Sequence, residues 1–131
     1  MRYLALACDY DGTLASEGRV APETVAALER LRASGRQLLE AGYQCCILDP
    51  EGDYDTFKGA VVLGDCRRAP RVAEALRLLE PPDQHVVVNL LGLPLQDRPG
   101  FFTGFLAHLH ELRARTGRPH WLVADKAHHF L

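Results

Sequence analysis

The strongest constraint on this fold is a repeated pairing. A short apolar run ends at a polar or turn-forming residue, and after three of the five such runs helical spacing of apolar residues comes next. Residues 3–8 read YLALAC and stop at Asp9. Residues 43–48 (YQCCIL) stop at Asp49, residues 60–63 (AVVL) precede Gly64-Asp65, and residues 121–124 (WLVA) stop at Asp125. A further run covers residues 86–91 (VVVNLL). Continuous apolar runs of this length suit strands buried on both faces, as in parallel sheets.

Between the runs lie amphipathic segments. Pro22 opens one at a first helical turn, Val25, Leu28 and Leu31 give its stripe, and Ser34-Gly35 stops it. A shorter piece at 37–41 ends at Gly42. Pro70 starts another, with Val72, Leu76 and Leu79 on one face and Pro81-Pro82 at its end. Asp97 and Pro99 begin the longest, which carries Phe102, Phe105, Leu106, Leu109 and Leu112 and closes at Gly117 and Pro119. The alternation predicts an α/β fold. It is a three-layer, doubly wound, mostly parallel sheet of about five strands, Rossmann-like, in a single domain over residues 1–131. Residues 9–16 are polar and contain Gly12, so they read as a loop. Residues 49–59 carry no helical stripe, so the second and third strands are joined irregularly or are not simple parallel neighbours.

In such a fold the strand C-termini gather at one edge, where ligands bind. Asp9, Asp49, Asp65 and Asp125 each come after a predicted strand, which makes that edge acidic, as a Mg²⁺ site requires. The formal net charge of −2 argues against a nucleic-acid or anionic-membrane binder, which would carry a basic excess. Residues 3–8 are too few for a secretory h-region or a membrane span. The four cysteines, Cys8, Cys45, Cys46 and Cys66, form no C-x-x-C pair. Cys45 and Cys46 are adjacent and would point to opposite faces of a strand. A reducing, cytoplasmic setting is expected, with neither a disulfide framework nor a zinc site.

Asp9-Tyr10-Asp11-Gly12-Thr13-Leu14 comes directly after the first run. An ionised aspartate at a strand end can attack phosphorus, and a second carboxyl two residues on can protonate the leaving oxygen and then activate water. Gly12 permits the tight turn, and Thr13 can hydrogen-bond to shape the loop around a substrate. Mg²⁺ offsets repulsion between carboxylate and phosphate. The motif resembles the D-x-D-G-T signature of the haloacid dehalogenase-like hydrolases, and the likeness covers residues 1–36. The resemblance implies Asp9 as nucleophile and metal ligand, Asp11 as general acid/base and metal ligand, and Gly12 and Thr13 at the substrate. Gly64-Asp65 resembles the start of that family's later acidic motif, which implies Asp65 as a further metal ligand. Ala69 stands where that motif has its second aspartate, and Asp49-Pro50 comes after the second strand where the family has Ser or Thr.

Residues 38–131 resemble something else. ILDPEGDY (residues 47–54), the VVLGD run and RPHWLVADKAHH (residues 118–129) are similar to the rear half of a HerA/FtsK-type P-loop ATPase. That likeness makes Asp125 the Mg²⁺-side carboxylate. Lys126 stands where the family has a catalytic Glu, and no G-x-x-x-x-G-K-[ST] occurs. The chain therefore reads as two partial domains joined near residues 35–38.

The alternating acids Asp49, Glu51, Asp53 and Asp55 do not make an EF-hand, because Tyr54 and Ala60 occupy the places of its Gly and Glu. They read as a solvated acidic loop. His108 and His110 lie two apart on a helix and do not share a face. The leading expectation is a Mg²⁺-dependent phosphohydrolase acting on a small phosphorylated substrate. The alternative is a catalytically inactive α/β module that binds or self-associates, as a homo-oligomer.

Overall fold

The computed structural model describes residues 44–118 and 120–130, together with three short strands, β1 (Leu6–Cys8), β2 (Ala15–Ser16) and β3 (Arg19–Val20). The remaining elements are β4 (Gln44–Asp49), β5 (Ala60–Leu63), α1 (Val72–Leu78), β6 (His85–Asn89), α2 (Arg98–Thr116) and β7 (His120–Asp125). Single 3-10 turns at Leu95–Asp97 and Ala127–Phe130 flank α2 and β7, one before the helix and one after the strand.

The fold is α/β around a parallel sheet. Strands run in the order β7-β4-β6-β5, with β1 beside β7, and every pairing in that sheet is parallel. β4 and β5 are consecutive in sequence yet β6 lies between them. The awkward 49–59 connection is thus irregular, a series of turns, and its strands are not neighbours. β2 and β3 pair antiparallel, so residues 15 and 16 are strand at the end of the stretch expected as loop. The helical pieces at 22–34 and 37–41 lie outside the described residues.

Alternation along the strands explains the core. Cys46 and Leu48 of β4, Val86 and Val88 of β6, and Leu122 and Ala124 of β7 share one face. They pack with Ala75 and Leu79 around α1 and with Phe105, Leu109 and Leu112 of α2. Ile47 and Val87 point the other way and are buried too. Burial on both faces is why these runs are continuously apolar. Each such Val or Leu contributes roughly 1.5–3 kcal/mol on leaving water.

Helix ends obey their local chemistry. Glu74 accepts from the Arg71 N–H at 3.1 Å and also pairs with Arg68, fixing the start of α1. α2 stops where Gly117 turns left-handed at φ 67 and its N–H reaches the Arg113 carbonyl at 2.8 Å. α2 starts where Asp97 and Pro99 are expected to begin it, with Asp97 at the N-cap position and Pro99 in the first turn. One expectation needs correction. Leu106 is 38% exposed, because the buried face of α2 runs through 98, 105, 109 and 112 and leaves 106 on its flank.

Candidate functional site

Every strand of the main sheet is parallel, so their C-termini lie along one edge. At its centre Asp49 closes β4 and is fully buried. Pro50 has no N–H to offer, and the chain turns so that the next four amides point back. Oδ1 accepts from Gly52 at 2.8 Å, Asp53 at 3.2 Å and Glu51 at 3.3 Å, and Oδ2 accepts from Tyr54 at 3.0 Å. A buried carboxylate persists only with such partners. The turn needs Gly52 at φ 81, where a Cβ would also stand 2.6 Å from Leu91 Cδ1. The segment is therefore a loop organised around a buried anion rather than merely a solvated acidic one, although Glu51, Asp53 and Asp55 are exposed.

Asn89 ends β6 in register with Asp49 and ties the same loop from the other side. Its Nδ2 donates to Asp55 Oδ1 at 2.7 Å, and its Oδ1 accepts from the Leu91 N–H at 2.9 Å. The Leu90 N–H donates to the Asp49 carbonyl at 2.8 Å.

Asp65 comes after β5 at the outer edge. Its Oδ1 accepts from the Arg67 and Arg68 amides at 2.6 and 2.9 Å, which hold its exposed carboxyl below the ordinary carboxylate range. Three strands separate β5 from β1. At about 4.8 Å per strand the two strand ends stand roughly 19 Å apart. Asp65, expected as a metal ligand together with the first motif, thus follows the strand at the other edge of the sheet from β1.

β1 ends at Cys8, paired with Asp125 at the end of β7. Asp9, Asp11, Gly12 and Thr13 lie outside the described residues. Asp125 is half-buried. Burial raises its carboxyl above the ordinary range, the Lys126 N–H at 3.0 Å pulls it down, and the neighbouring Asp49 and Asp53 charges push it up again. Lys126 itself adopts a left-handed φ of 46, uncommon for a lysine. Its Nζ pairs with Glu51 and lies 3.8 Å from Asp53.

Behind this corner sits Arg98, buried in the first turn of α2. A cation there opposes the helix dipole, so other groups must hold it. Nε donates to the Leu93 carbonyl at 3.1 Å, Nη2 to the Leu90 carbonyl at 3.2 Å, and Nη1 to His129 Nδ1 at 2.7 Å. His129 Nε2 lies 3.7 Å from Glu51. Sequence reasoning misses Arg98, Asn89 and the capping role of Asp49. An Arg at a helix start and the Asp-Pro-x-Gly spacing are the available signals.

Among the described residues Cys45, Cys46 and Cys66 are free: Cys46 is in the core, Cys45 faces the other way, and Cys66 is exposed. Burial pushes the Cys45 thiol up to about 11. His108 and His110 are exposed on α2. Among the described residues, no group of three or more His, Cys, Asp or Glu side chains is set to hold a metal ion. Asp125 lies beside the end of β1. Among those residues, too, no helix is long and apolar enough to cross a membrane. No protein-family model, curated protein or solved structure matches the chain.

Proposed function

We propose that the chain is a haloacid dehalogenase-like, Mg²⁺-dependent phosphohydrolase acting on a small phosphate ester. The observation that carries this reading is the register of β1. The strand that leads into Asp9-Tyr10-Asp11-Gly12-Thr13 ends level with Asp125, at the carboxyl edge of a parallel sheet. Ligands of α/β sheets bind at that edge.

In this mechanism an Asp9 oxygen attacks phosphorus and forms an aspartyl phosphate. Asp11 gives its proton to the departing alkoxide, then takes one from the water that displaces Asp9 and frees inorganic phosphate. A bound Mg²⁺ would offset the repulsion between carboxylate and phosphate, held by the Asp9 carboxylate and the Asp11 backbone carbonyl. Asp125 rather than Asp65 supplies the third carboxylate. Gly12 and Thr13 shape the loop around the phosphoryl group. The burial of Ile47 and Val87, away from α1 and α2, supports a three-layer, doubly wound completion of the sheet. Free thiols at Cys45, Cys46 and Cys66 support a cytoplasmic setting. Hydrolysis of an aryl phosphate with and without Mg²⁺, in wild type and Asp9→Asn, tests the reading. Metal-dependent turnover lost in the variant supports it, and turnover equal in both proteins removes it.

A second reading, a catalytically inactive module that self-associates, draws on a different observation. The carboxylates of Asp49 and Asp65 accept backbone N–H groups, and Lys126 pairs with Glu51 where the ATPase likeness calls for an acid. This reading expects no turnover, and a mass above the monomer by light scattering on a sizing column.

A further inference from the structure

Charge is distributed along the carboxyl edge in a pattern centred on β6. The loop after β4 exposes Glu51, Asp53 and Asp55, and the turn after β5 exposes Arg67, Arg68 and Arg71. β6 lies between those two strands, and its exit is wedged between their loops. Leu91 abuts the acidic loop, where a Cβ added at Gly52 would stand 2.6 Å from Leu91 Cδ1. Gly92 abuts the basic turn, where its own added Cβ would stand 2.6 Å from the Asp65 carbonyl oxygen and 2.9 Å from the Ala69 nitrogen. Lys126 pairs with Glu51 and lies 3.8 Å from Asp53, yet the loop sets three exposed acids against that lysine. Arg68 pairs with Glu74, and Asp65 sits in the same turn, yet the three arginines outnumber those two acids. The centre of the pattern is apolar. Four large hydrophobic side chains are exposed among the described residues. Two of them, Leu91 at 42% and Leu95 at 62%, lie in the segment that leads from β6 to α2.

Acid, leucine and base in a row make a surface that complements itself. β4 and β5 flank β6 at equal spacings of about 4.8 Å. A half-turn about an axis normal to the sheet, just beyond the end of β6, reverses the strands and exchanges the two sides. The acidic loop of each copy then faces the basic turn of the other, and the leucines meet at the axis. This is an isologous contact, the kind that closes a homodimer. We infer that the chain pairs with a second copy of itself, carboxyl edge to carboxyl edge, about the exit of β6. Opposite charges set the register, and the leucines supply apolar burial. β5 closes the strand order on its side, so the second copy's sheet ends over β4 and leaves Asp125 and the end of β1 clear. The pairing is therefore independent of the phosphohydrolase reading. It rests on the self-association of the second reading and gives it a surface.

Sedimentation velocity of the full chain, over a dilution series from about 100 μM downward, tests it. Wild type should run as a dimer at the top of the series. Asp53→Arg and Arg67→Glu change exposed side chains and keep the backbone bonds of both loops. Each sets like charges face to face on both sides of the axis, and should weaken the dimer about tenfold or more. Mixed in equal amounts, the two variants bring opposite charges together again, and the dimer should return. Leu95→Glu sets two like charges at the axis and should weaken the dimer by a similar factor, which mixing with either variant does not relieve. Wild type that runs as a single chain at the highest concentration would overturn the pairing and self-association together. A dimer that neither charge variant weakens, or that their mixing does not restore, would overturn the pairing alone.

Discussion

Asp49 and Asp125 end adjacent parallel strands at the same register and do opposite things. Leu48 pairs with Ala124, so the two carboxylates sit at the same level of the sheet. Asp49 is fully buried and takes four backbone N–H groups onto its two oxygens. Asp125 is half-buried, takes one N–H from its own neighbour, and carries a carboxyl raised by burial. The difference arises from the residues just beyond each strand. Asp-Pro-Glu-Gly folds four amides back onto Asp49. After Asp125 the chain turns at once through a left-handed lysine into the Ala127–Phe130 turn. A saturated carboxylate holds a loop together; one with a single amide partner can still meet an ion or a proton.

The largest effect should come from Asp49→Ala. Four backbone amides lose their acceptor at a fully buried position, and about 3 kcal/mol or more of stability should go, by chemical denaturation. A loss under about 1 kcal/mol would break the comparison, because Asp49 would then be no more structural than Asp125. Arg98→Met comes next. It removes the donor to the Leu90 and Leu93 carbonyls and to His129, and should cost about 2 kcal/mol by the same assay. Methionine keeps much of the volume, so the loss reports the polar contacts.

Asp125→Asn should move stability the other way. A carboxyl raised by burial binds its proton more tightly in the folded state than in the unfolded one. Ionisation therefore opposes folding at neutral pH, and that penalty fades as pH falls into the carboxylate range. The variant should melt above wild type at about pH 7, with the gap closing near pH 4. A lower melting temperature at neutral pH would mean that the ionised Asp125 is itself held by native contacts. The smallest effect belongs to Asp65→Ala. Its carboxyl is lowered by two amides but is exposed, so its contribution is present at neutral pH and disappears as the pH falls through its own low range. The melting temperature at neutral pH should change by no more than about 2 °C.

The parallel architecture was legible in the sequence because both faces of the central strands are buried. Residues 46–48 and 86–88 therefore could not alternate, and their apolar continuity is the direct mark of that burial. Gly117 was legible as a helix stop because only a left-handed residue ends α2 there. The strand order was not legible, since nothing in the chain near residues 49–59 says that β6 will enter between β4 and β5. That order is what carries Asp65 away from β1. The role of Asp49 was hidden as well: a row of four acids in a short span looks solvated until backbone amides are seen to converge on one of them. Arg98 and His129 come together from residues 31 apart in sequence, a distance at which spacing carries no signal.

Division of the carboxyl edge into a structural centre and a chemical corner is tested most directly by one set of rates. Mg²⁺-dependent aryl phosphate hydrolysis would be compared in wild type, Asp9→Asn, Asp125→Asn and Asp65→Asn, purified alike. The account expects turnover in wild type, none above background in Asp9→Asn, a fall of about tenfold or more in Asp125→Asn, and a wild-type rate in Asp65→Asn. Full activity in Asp125→Asn together with its loss in Asp65→Asn would contradict it, because the chemistry would then lie at the far end of the sheet from β1.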